Sequence, residues 1–196
     1  KYVIIILGVV MESSILEIKE ELKKTLSSYR YNHSINVMEE AVKLAKYYKV
    51  DEKKCEICAL THDMAKEFSE EENRRFIEKY ELPEDILLKE NKNLLHGYVA
   101  AIIVKEKYGF TDDMVKAVKY HSTGYVGMDM LAKIIYLADK IEKGKDYPGI
   151  EEERYYAYKD IDKAIVICLC NQIKKLVKDG KKVNLLAYTT LGSLIK

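Results

Sequence analysis

Helix breakers are scarce in this chain, and their scarcity constrains the fold more than any other feature of the sequence. Only two prolines and nine glycines occur among 196 residues. Because proline and glycine interrupt helices and form tight turns, a chain with so few of them favours long helices over many short strands. Apolar residues recur at helical spacing, and no segment beyond the N-terminus has the period of a strand. The sequence therefore predicts an all-α fold, and a length of this order fits one domain.

Capping residues indicate where most of these helices begin. The segments 14–17 and 69–72 have the S-x-x-E pattern of a capping box, and Asp51, Thr111 and Asp129 are further N-cap candidates. The predicted helices cover approximately residues 14–26, 28–48, 52–65, 69–80, a short helix from Pro83, 96–108, 112–121, 130–141, 150–158, 161–179 and a last one from Asn184, with Gly109 and Gly180 as stop signals.

The N-terminal segment is separated from the rest of the chain in this interpretation. Residues 2–10 are mostly apolar, but the run is too short to cross a bilayer and lacks the basic region and cleavage site of a good signal peptide. Met11 stands just before the first capping box. We therefore interpret residues 1–12 as a remnant of an upstream expressed sequence or as an N-terminal arm, and residues 13–196 as the functional domain.

The balance of charge argues against two classes of binding protein. The chain has 33 basic and 32 acidic residues, for a net charge of +1. General binders of nucleic acid or of membranes need an excess of basic residues. The sequence predicts neither partner, although a local basic pocket for a small phosphorylated ligand stays open.

The four cysteines predict neither a zinc site nor disulfides. Cys55 and Cys58 have C-x-x-C spacing, but no second pair follows, so we interpret them as two thiols one turn apart on a helix. Cys168 and Cys170 stand in an apolar run and are interpreted as core residues. Since nothing demands an oxidising compartment, the cytoplasm is the expected location.

Histidines and aspartates are the candidates for chemistry. The chain has only four histidines, and each falls on, or at the end of, a different predicted helix: His33, His62, His96 and His121. Asp63 and Asp139 stand in apolar surroundings, where a carboxylate is costly unless it is paired or binds a metal. A bundle can direct such residues into one cavity, and six ligands suit two metals that share one carboxylate. Imidazole and carboxylate ligands suit Fe, Mn, Zn or Co, and the alternative is that the histidines are structural.

The order of these residues resembles a known family. His33, His62-Asp63 and Asp139 match the H…HD…D signature of the HD-domain metal-dependent phosphohydrolases. Five stretches are further similar to the bacterial YqeK-type HD proteins: 30–34 (RYNHS), 62–66 (HDMAK), 95–97 (LHG), 120–124 (YHSTG), and 138–142 with 146–149 (ADKIE and DYPG). The resemblance covers about residues 20–180. It implies a single-domain HD-type helical bundle around a metal site.

The resemblance also implies a set of metal ligands. The first metal would be bound by His33, His62, Asp63 and Asp139. Asp63 would bridge to a second metal, which His96 and His121 would bind. The family uses a di-iron centre in this role, so iron is the expected metal, with Mn, Zn or Co as alternatives.

Two basic residues are expected to act on phosphate. Lys66 follows Asp63 by three residues, which places it on the same helix face one turn further on. Arg30 precedes His33 by three residues, and its planar guanidinium suits a phosphate group. Asp63, Lys66 and Arg30 are thus the predicted catalytic residues. The further expected substrate contacts are Thr123, Gly124, Lys145, Asp146 and Arg154.

The activity that the resemblance implies is symmetrical hydrolysis of diadenosine tetraphosphate to two ADP by a metal-bound hydroxide. The expected partners are a dinucleoside polyphosphate substrate and a nucleoside diphosphate product, and a homodimer is compatible with the sequence. Three alternatives stay open: another HD-type nucleotide phosphohydrolase (a nucleotidase or a guanosine-polyphosphate hydrolase), a catalytically inactive nucleotide-binding regulator, and a helical interaction module. The chain departs from the family at Lys145, at Lys140 and in the tail after Val183.

Overall fold

A computed structural model gives the fold of the chain and describes residues 15–80 and 94–195. Every regular element in these two ranges is helical, which confirms the predicted all-α fold. None of these helices is both long enough and apolar enough to cross a membrane. In chain order they are α1 (residues 15–25), α2 (Ser28–Tyr48), α3 (Glu52–Thr61), α4 (Glu70–Lys79), α5 (Leu95–Tyr108), α6 (Asp112–Lys119), α7 (Met130–Ile141), α8 (Ile150–Ala157), α9 (Ile161–Lys178) and α10 (Leu185–Leu194).

Three predictions fall on residues outside the described ranges. They are the separate segment 1–12, the capping box that begins at Ser14 and the short helix from Pro83. The boundary between residues 12 and 13 therefore stays a prediction. Within the described ranges, one hydrophobic core extends from Ile15 to Ala187, as a single bundle requires.

Side-chain caps begin several helices where the sequence predicts them. Asp51 and Asp129 each accept the amide N–H three residues further on, at 3.1 and 2.8 Å. Ser69 begins α4 with a complete capping box. Thr111 occupies the N-cap position of α6, but its side chain makes no capping bond because its hydroxyl donates to the side chain of Asp113 instead.

Two helices end earlier than predicted, and a histidine follows each end. Helix α3 ends at Thr61 and α6 at Lys119. His62 and His121 hydrogen-bond through Nδ1 to the carbonyl three residues earlier, at 2.6 and 2.7 Å. A carbonyl that accepts from a ring is less available to the backbone N–H of a next turn, so the helix gives way to turns. His62, Asp63 and His121 therefore lie in turns directly after helices.

Helix α7 lies at the centre of the bundle. Nine of its twelve residues are buried. It packs against α2, α3, α6, α8 and α9. Because the helix is enclosed on most sides, Asp139 in its last turn is buried as well. The fold thus places one carboxylate in the interior, next to the helices that carry the histidines.

Three of the four cysteines lie in the core, and Cys168 is the one of them for which the sequence predicts this. Cys55, Cys58 and Cys168 are buried, all four thiols are free, and burial raises the pKa of Cys55 to about 12. Such a thiol is inert toward metals at neutral pH. The prediction that Cys170 belongs to the core is wrong, because its side chain is exposed. Residues two apart on a helix point about 200° apart, so Cys168 and Cys170 cannot share one face.

Candidate metal centre

Six buried side chains from five parts of the bundle meet at one point. They come from α2, the turn after α3, the start of α5, the turn after α6 and the last turn of α7: His33, His62, Asp63, His96, His121 and Asp139. His33 and Asp139 are 106 residues apart in the chain, yet their side chains lie 3.1 Å from each other. The fold therefore brings together the whole predicted ligand set, and metal binding by these particular residues stays a prediction.

Asp63 stands between two groups of histidines. Its Oδ2 lies 3.7 Å from Nε2 of His33 and 3.5 Å from Nε2 of His62. Its Oδ1 lies 3.0 Å from Nε2 of His96 and 3.5 Å from Nε2 of His121. One carboxylate thus presents a different oxygen to each pair of rings. This is the arrangement in which a carboxylate bridges two cations.

Asp139 belongs to the first of these groups. Its Oδ1 lies 3.1 Å from Nε2 of His33 and 3.7 Å from Nε2 of His62. The ligand atoms of these three residues all lie within 4.8 Å of one another. The first group therefore offers two imidazoles and two carboxylate oxygens, whereas the second offers two imidazoles and the other oxygen of Asp63.

Hydrogen bonds behind the rings determine which nitrogen faces the centre in three of the four histidines. His62 and His121 use Nδ1 to donate to backbone carbonyls, and His33 uses Nδ1 to donate to Oε1 of Glu142 at 3.1 Å. These acceptors assign the proton to Nδ1 and leave the lone pair of Nε2 directed at the carboxylates. Histidines that bind metals are commonly oriented in this way by a partner on the other ring nitrogen.

Inward-facing ring nitrogens of the cluster lie close to one another and to the carboxylates. Nε2 of His62 is buried and has no hydrogen-bond partner within residues 15–80 and 94–195. Nε2 of His96 lies 3.1 Å from Nε2 of His121. Acceptors that face one another in a dry site are unfavourable unless a proton or a metal ion lies between them. A cation bound among these atoms would satisfy them, so the residues present fit a metal centre.

Both carboxylates and His121 have the charge states that metal binding requires, whereas Asp63 and Asp139 outweigh the effect of burial on His62 and raise the pKa of that ring, so a metal must displace its proton. Burial raises the pKa of Asp63 and Asp139, but neighbouring groups, foremost His62 and Lys140 respectively, outweigh burial and hold both pKa values well below the usual range. Burial is also the largest influence on His121, and it lowers the pKa of that ring to about 4. At neutral pH the carboxylates are therefore anionic and His121 is neutral, as ligands must be.

Three cations surround the cluster. Nη1 of Arg30 donates to Oδ2 of Asp63 at 2.7 Å, and Nζ of Lys140 donates to Oδ2 of Asp139 at 2.8 Å. Nζ of Lys66 lies 3.3 Å from both ring nitrogens of His96. Lys66 follows Asp63 in a series of turns rather than on one helix face, because α3 has already ended. The distances place its ammonium beside His96, and its action on phosphate stays a prediction.

A cavity of about 370 Å³ opens onto this cluster. Asp63, His121 and Asp139 form part of its wall. The cavity is also lined by six basic side chains: Arg30, Lys66, Lys140, Lys145, Lys181 and Lys182. A cavity that joins buried carboxylates and imidazoles to so many cations is suited to a polyanion held against a metal.

The predicted substrate contacts divide into two groups. Arg30, Lys66, Thr123 and Lys145 line the cavity. Gly124, Asp146 and Arg154 are not among its lining residues: Gly124 packs against α10 and Asp146 is exposed.

Arg154 supports the cavity from behind. Its guanidinium donates to the backbone carbonyls of Ile141, Glu142 and Lys145 at 3.0 to 3.1 Å. These bonds hold the end of α7 and the loop after it, from which Lys145 reaches the cavity. A direct contact between Arg154 and substrate stays a prediction.

Sequence reasoning missed four residues of the site. Glu142 supports His33, Lys140 pairs with Asp139, and Lys181 and Lys182 line the cavity. Glu142 could have been found, since it stands three residues after Asp139, where a helix places it on the same face as that ligand candidate. The two lysines gave no signal, because a pair of charged residues in a tail is ordinarily a solvated surface.

The Glu142→Gln variant is expected to bind metal about 10- to 100-fold more weakly, because a neutral amide accepts the hydrogen bond from His33 more weakly than the carboxylate does. Metal affinity is measured by competition with a chelator. Glu152→Gln, which changes an exposed carboxylate on α8, serves as the matched control. An unchanged affinity in Glu142→Gln would show that the hydrogen bond to His33 does not support binding.

Comparison with known proteins gives matches over most of the chain. The HD domain family model matches residues 30–144. The chain is 39% identical to the symmetrical bis(5'-nucleosyl)-tetraphosphatase of Halalkalibacterium halodurans, over 83% of this chain and 87% of that protein. It is 37% identical to the protein of the same name from Bacillus subtilis, with the same coverage.

A solved structure has the same fold. The crystal structure of a predicted HD superfamily hydrolase involved in NAD metabolism from Clostridium acetobutylicum superposes with a TM-score of 0.87. The two chains are 33% identical, and the match covers 91% of this chain and 95% of the other.

Proposed function

The chain belongs to the HD-domain family, and we propose that it hydrolyses diadenosine tetraphosphate symmetrically and releases two ADP. The observation that carries the proposal is the cationic cavity that opens onto the His/Asp cluster. A phosphate chain fits such a wall of basic residues, and the relatives bear the name of this activity over most of their length. Their name supports the tetraphosphate as substrate for this chain.

The proposal includes two metal ions bridged by Asp63. The division of its oxygens between His33 and His62 on one side and His96 and His121 on the other supports this number. Iron is the proposed metal, and Mn, Zn or Co also suit imidazole and carboxylate ligands. When bound, the metals supply an activated water and neutralise charge on the phosphate oxygens.

Protein side chains position and stabilise the phosphate that is attacked. Lys66 lies beside the ring of His96 and lines the cavity. Its ammonium can therefore stabilise the negative charge that develops on a phosphate oxygen. Arg30 donates through Nη1 to Asp63, and this bond holds the carboxylate in place. No side-chain nucleophile is required in this scheme.

The nucleoside of the bound half is proposed to lie near the loops 122–127 and 146–149. Thr123 lines the cavity and Gly124 follows it, and Lys145 reaches the cavity just before Asp146. Lys145 would bind phosphate as a point charge rather than through a bidentate fork. Arg154 contributes by fixing the backbone of Lys145.

We further propose that the protein acts in the cytoplasm, where free thiols such as its four cysteines are stable. Its partners are then the dinucleoside tetraphosphate and ADP, with neither nucleic acid nor membrane. A homodimer is compatible with this function and is not required by it.

Hydrolysis in ¹⁸O-labelled water tests which bond breaks. Attack on the second phosphorus from one nucleoside should place one ¹⁸O per turnover in the terminal phosphate of one ADP, with the other ADP unlabelled. Mass spectrometry of the nucleotide products makes this measurement.

Two results would contradict the proposal. Formation of ATP plus AMP would mean that the substrate lies one phosphate out of register. A protein that cleaves mononucleotides rapidly and leaves dinucleoside polyphosphates intact would be an HD-type phosphohydrolase of another specificity.

A further inference from the structure

We infer that Lys181 and Lys182 bind the phosphates of the half of the substrate that departs, so that the C-terminal segment selects a tetraphosphate over a shorter nucleotide. The inference rests on the proposed function and adds to it a determinant of substrate length. Both residues line the cavity, although they lie more than 100 residues beyond Asp63 in the chain.

The backbone turns sharply before these lysines and directs them at the cavity. Helix α9 ends at Lys178, and Gly180 adopts the left-handed conformation with φ of 65°. The amide of Lys181 then donates back to the carbonyl of Leu176 at 2.9 Å. Leu176 is itself a lining residue, so this turn places the lysines at the same wall.

The segment that carries the two lysines is also fixed at its C-terminal end, where α10 begins. Asn184 caps α10 by accepting the amide of Leu186 at 2.8 Å, and the next turn buries Ala187 against the cavity. Thr190 is fully buried, and its Cγ2 would lie 2.6 Å from a Cβ at Gly124. The close packing of α10 on the loop of Thr123 and Gly124 therefore holds the lysines in place.

The charges of the cavity leave Lys181 available for substrate phosphate. Of the six basic lining residues, Arg30 and Lys140 already pair with Asp63 and Asp139. Lys181 forms no ion pair with any residue that the structure describes. A tetraphosphate extends beyond the two phosphates that the metals and Lys66 can neutralise, and it needs further cations along its path.

Exposure places the two lysines at the mouth of the cavity. Lys181 and Lys182 are exposed, whereas Lys66 is half-buried beside His96. The half of the substrate that is not held at the metals must extend toward solvent and pass the mouth. The phosphates of that half therefore meet Lys181 and Lys182.

The double variant Lys181→Ala/Lys182→Ala tests the inference in the metal-loaded protein. We expect KM for diadenosine tetraphosphate to rise on the order of tenfold, as two exposed charge contacts would give, with kcat changed less than about twofold. ADP takes the place of the half of the substrate that the metals hold. Its inhibition constant should therefore be the same in the variant and in the unaltered protein. The rise of KM with added salt should also be shallower in the variant.

Lys174→Ala/Lys175→Ala is the matched control, because it removes two adjacent exposed lysines of α9 that do not line the cavity. Its KM should equal that of the unaltered protein. A tetraphosphate KM within twofold of the unaltered value in Lys181→Ala/Lys182→Ala would overturn the inference. So would an equal rise in the ADP inhibition constant, since the lysines would then contact the retained half. Failure of the unaltered protein to cleave the tetraphosphate would instead overturn the proposed function.

Discussion

The Asp63→Ala variant is expected to lose both metals and at least about 10³-fold of the activity. In the part of the chain that the structure describes, Asp63 is the one residue whose oxygens face both pairs of histidines, so no other side chain there can replace its bridge. Metal content by elemental analysis and ADP release on the same sample make the measurement. Asp112→Ala, which removes an exposed carboxylate on α6, is the control and should keep both properties.

Variants of the second pair of histidines test whether the centre holds two metals bridged by Asp63 or one metal shared by all the ligands. His96→Ala and His121→Ala should lose mainly one metal, because the first group keeps His33, His62 and Asp139. Thermal unfolding should accompany each assay, since Asp63 is buried and pairs with Arg30. An Asp63→Ala protein that stays folded and fully loaded would contradict the bridging role.

The Lys66→Ala variant is expected to lower kcat by about 10²- to 10³-fold while KM changes little. Charge on the phosphate oxygens is greater in the transition state than in the ground state, so a cation placed beside them acts mainly on kcat. Steady-state kinetics of tetraphosphate cleavage, with metal content held at saturation, make the measurement.

Two comparisons make this result specific. Lys116→Ala removes an exposed lysine of α6 and should have unaltered kinetics. Lys66→Arg keeps the charge and should recover part of kcat. A change confined to KM would mean that Lys66 binds substrate without stabilising the transition state. Unaltered kinetics would mean that Lys66 has no role in the reaction.

The helices and their order could be predicted because their signals are local. Asp51, Ser69 and Asp129 cap helices within three residues, and Gly109 stops α5 with φ of 64°. The early ends of α3 and α6 could not be predicted, because they depend on histidine rings that bond back to the helix. Periodicity alone extends a helix through such residues.

The metal cluster was predictable as a set, but its arrangement was not. Few histidines and two aspartates in apolar segments indicate a shared site, and the resemblance to the HD domain supplied the order. The assignment of one oxygen of Asp63 to each pair of rings is visible only in three dimensions. The same holds for Lys181, whose place at the cavity depends on the packing of α10 against Gly124.

The claim that two metals support hydrolysis is tested most directly by titrating the metal-free protein with ferrous iron under anaerobic conditions. ADP release from diadenosine tetraphosphate is measured at each addition. Activity should rise until two equivalents of iron per chain are bound and then stay constant, with ADP as the sole nucleotide product. Full activity at one equivalent, or products other than ADP at two, would contradict the account.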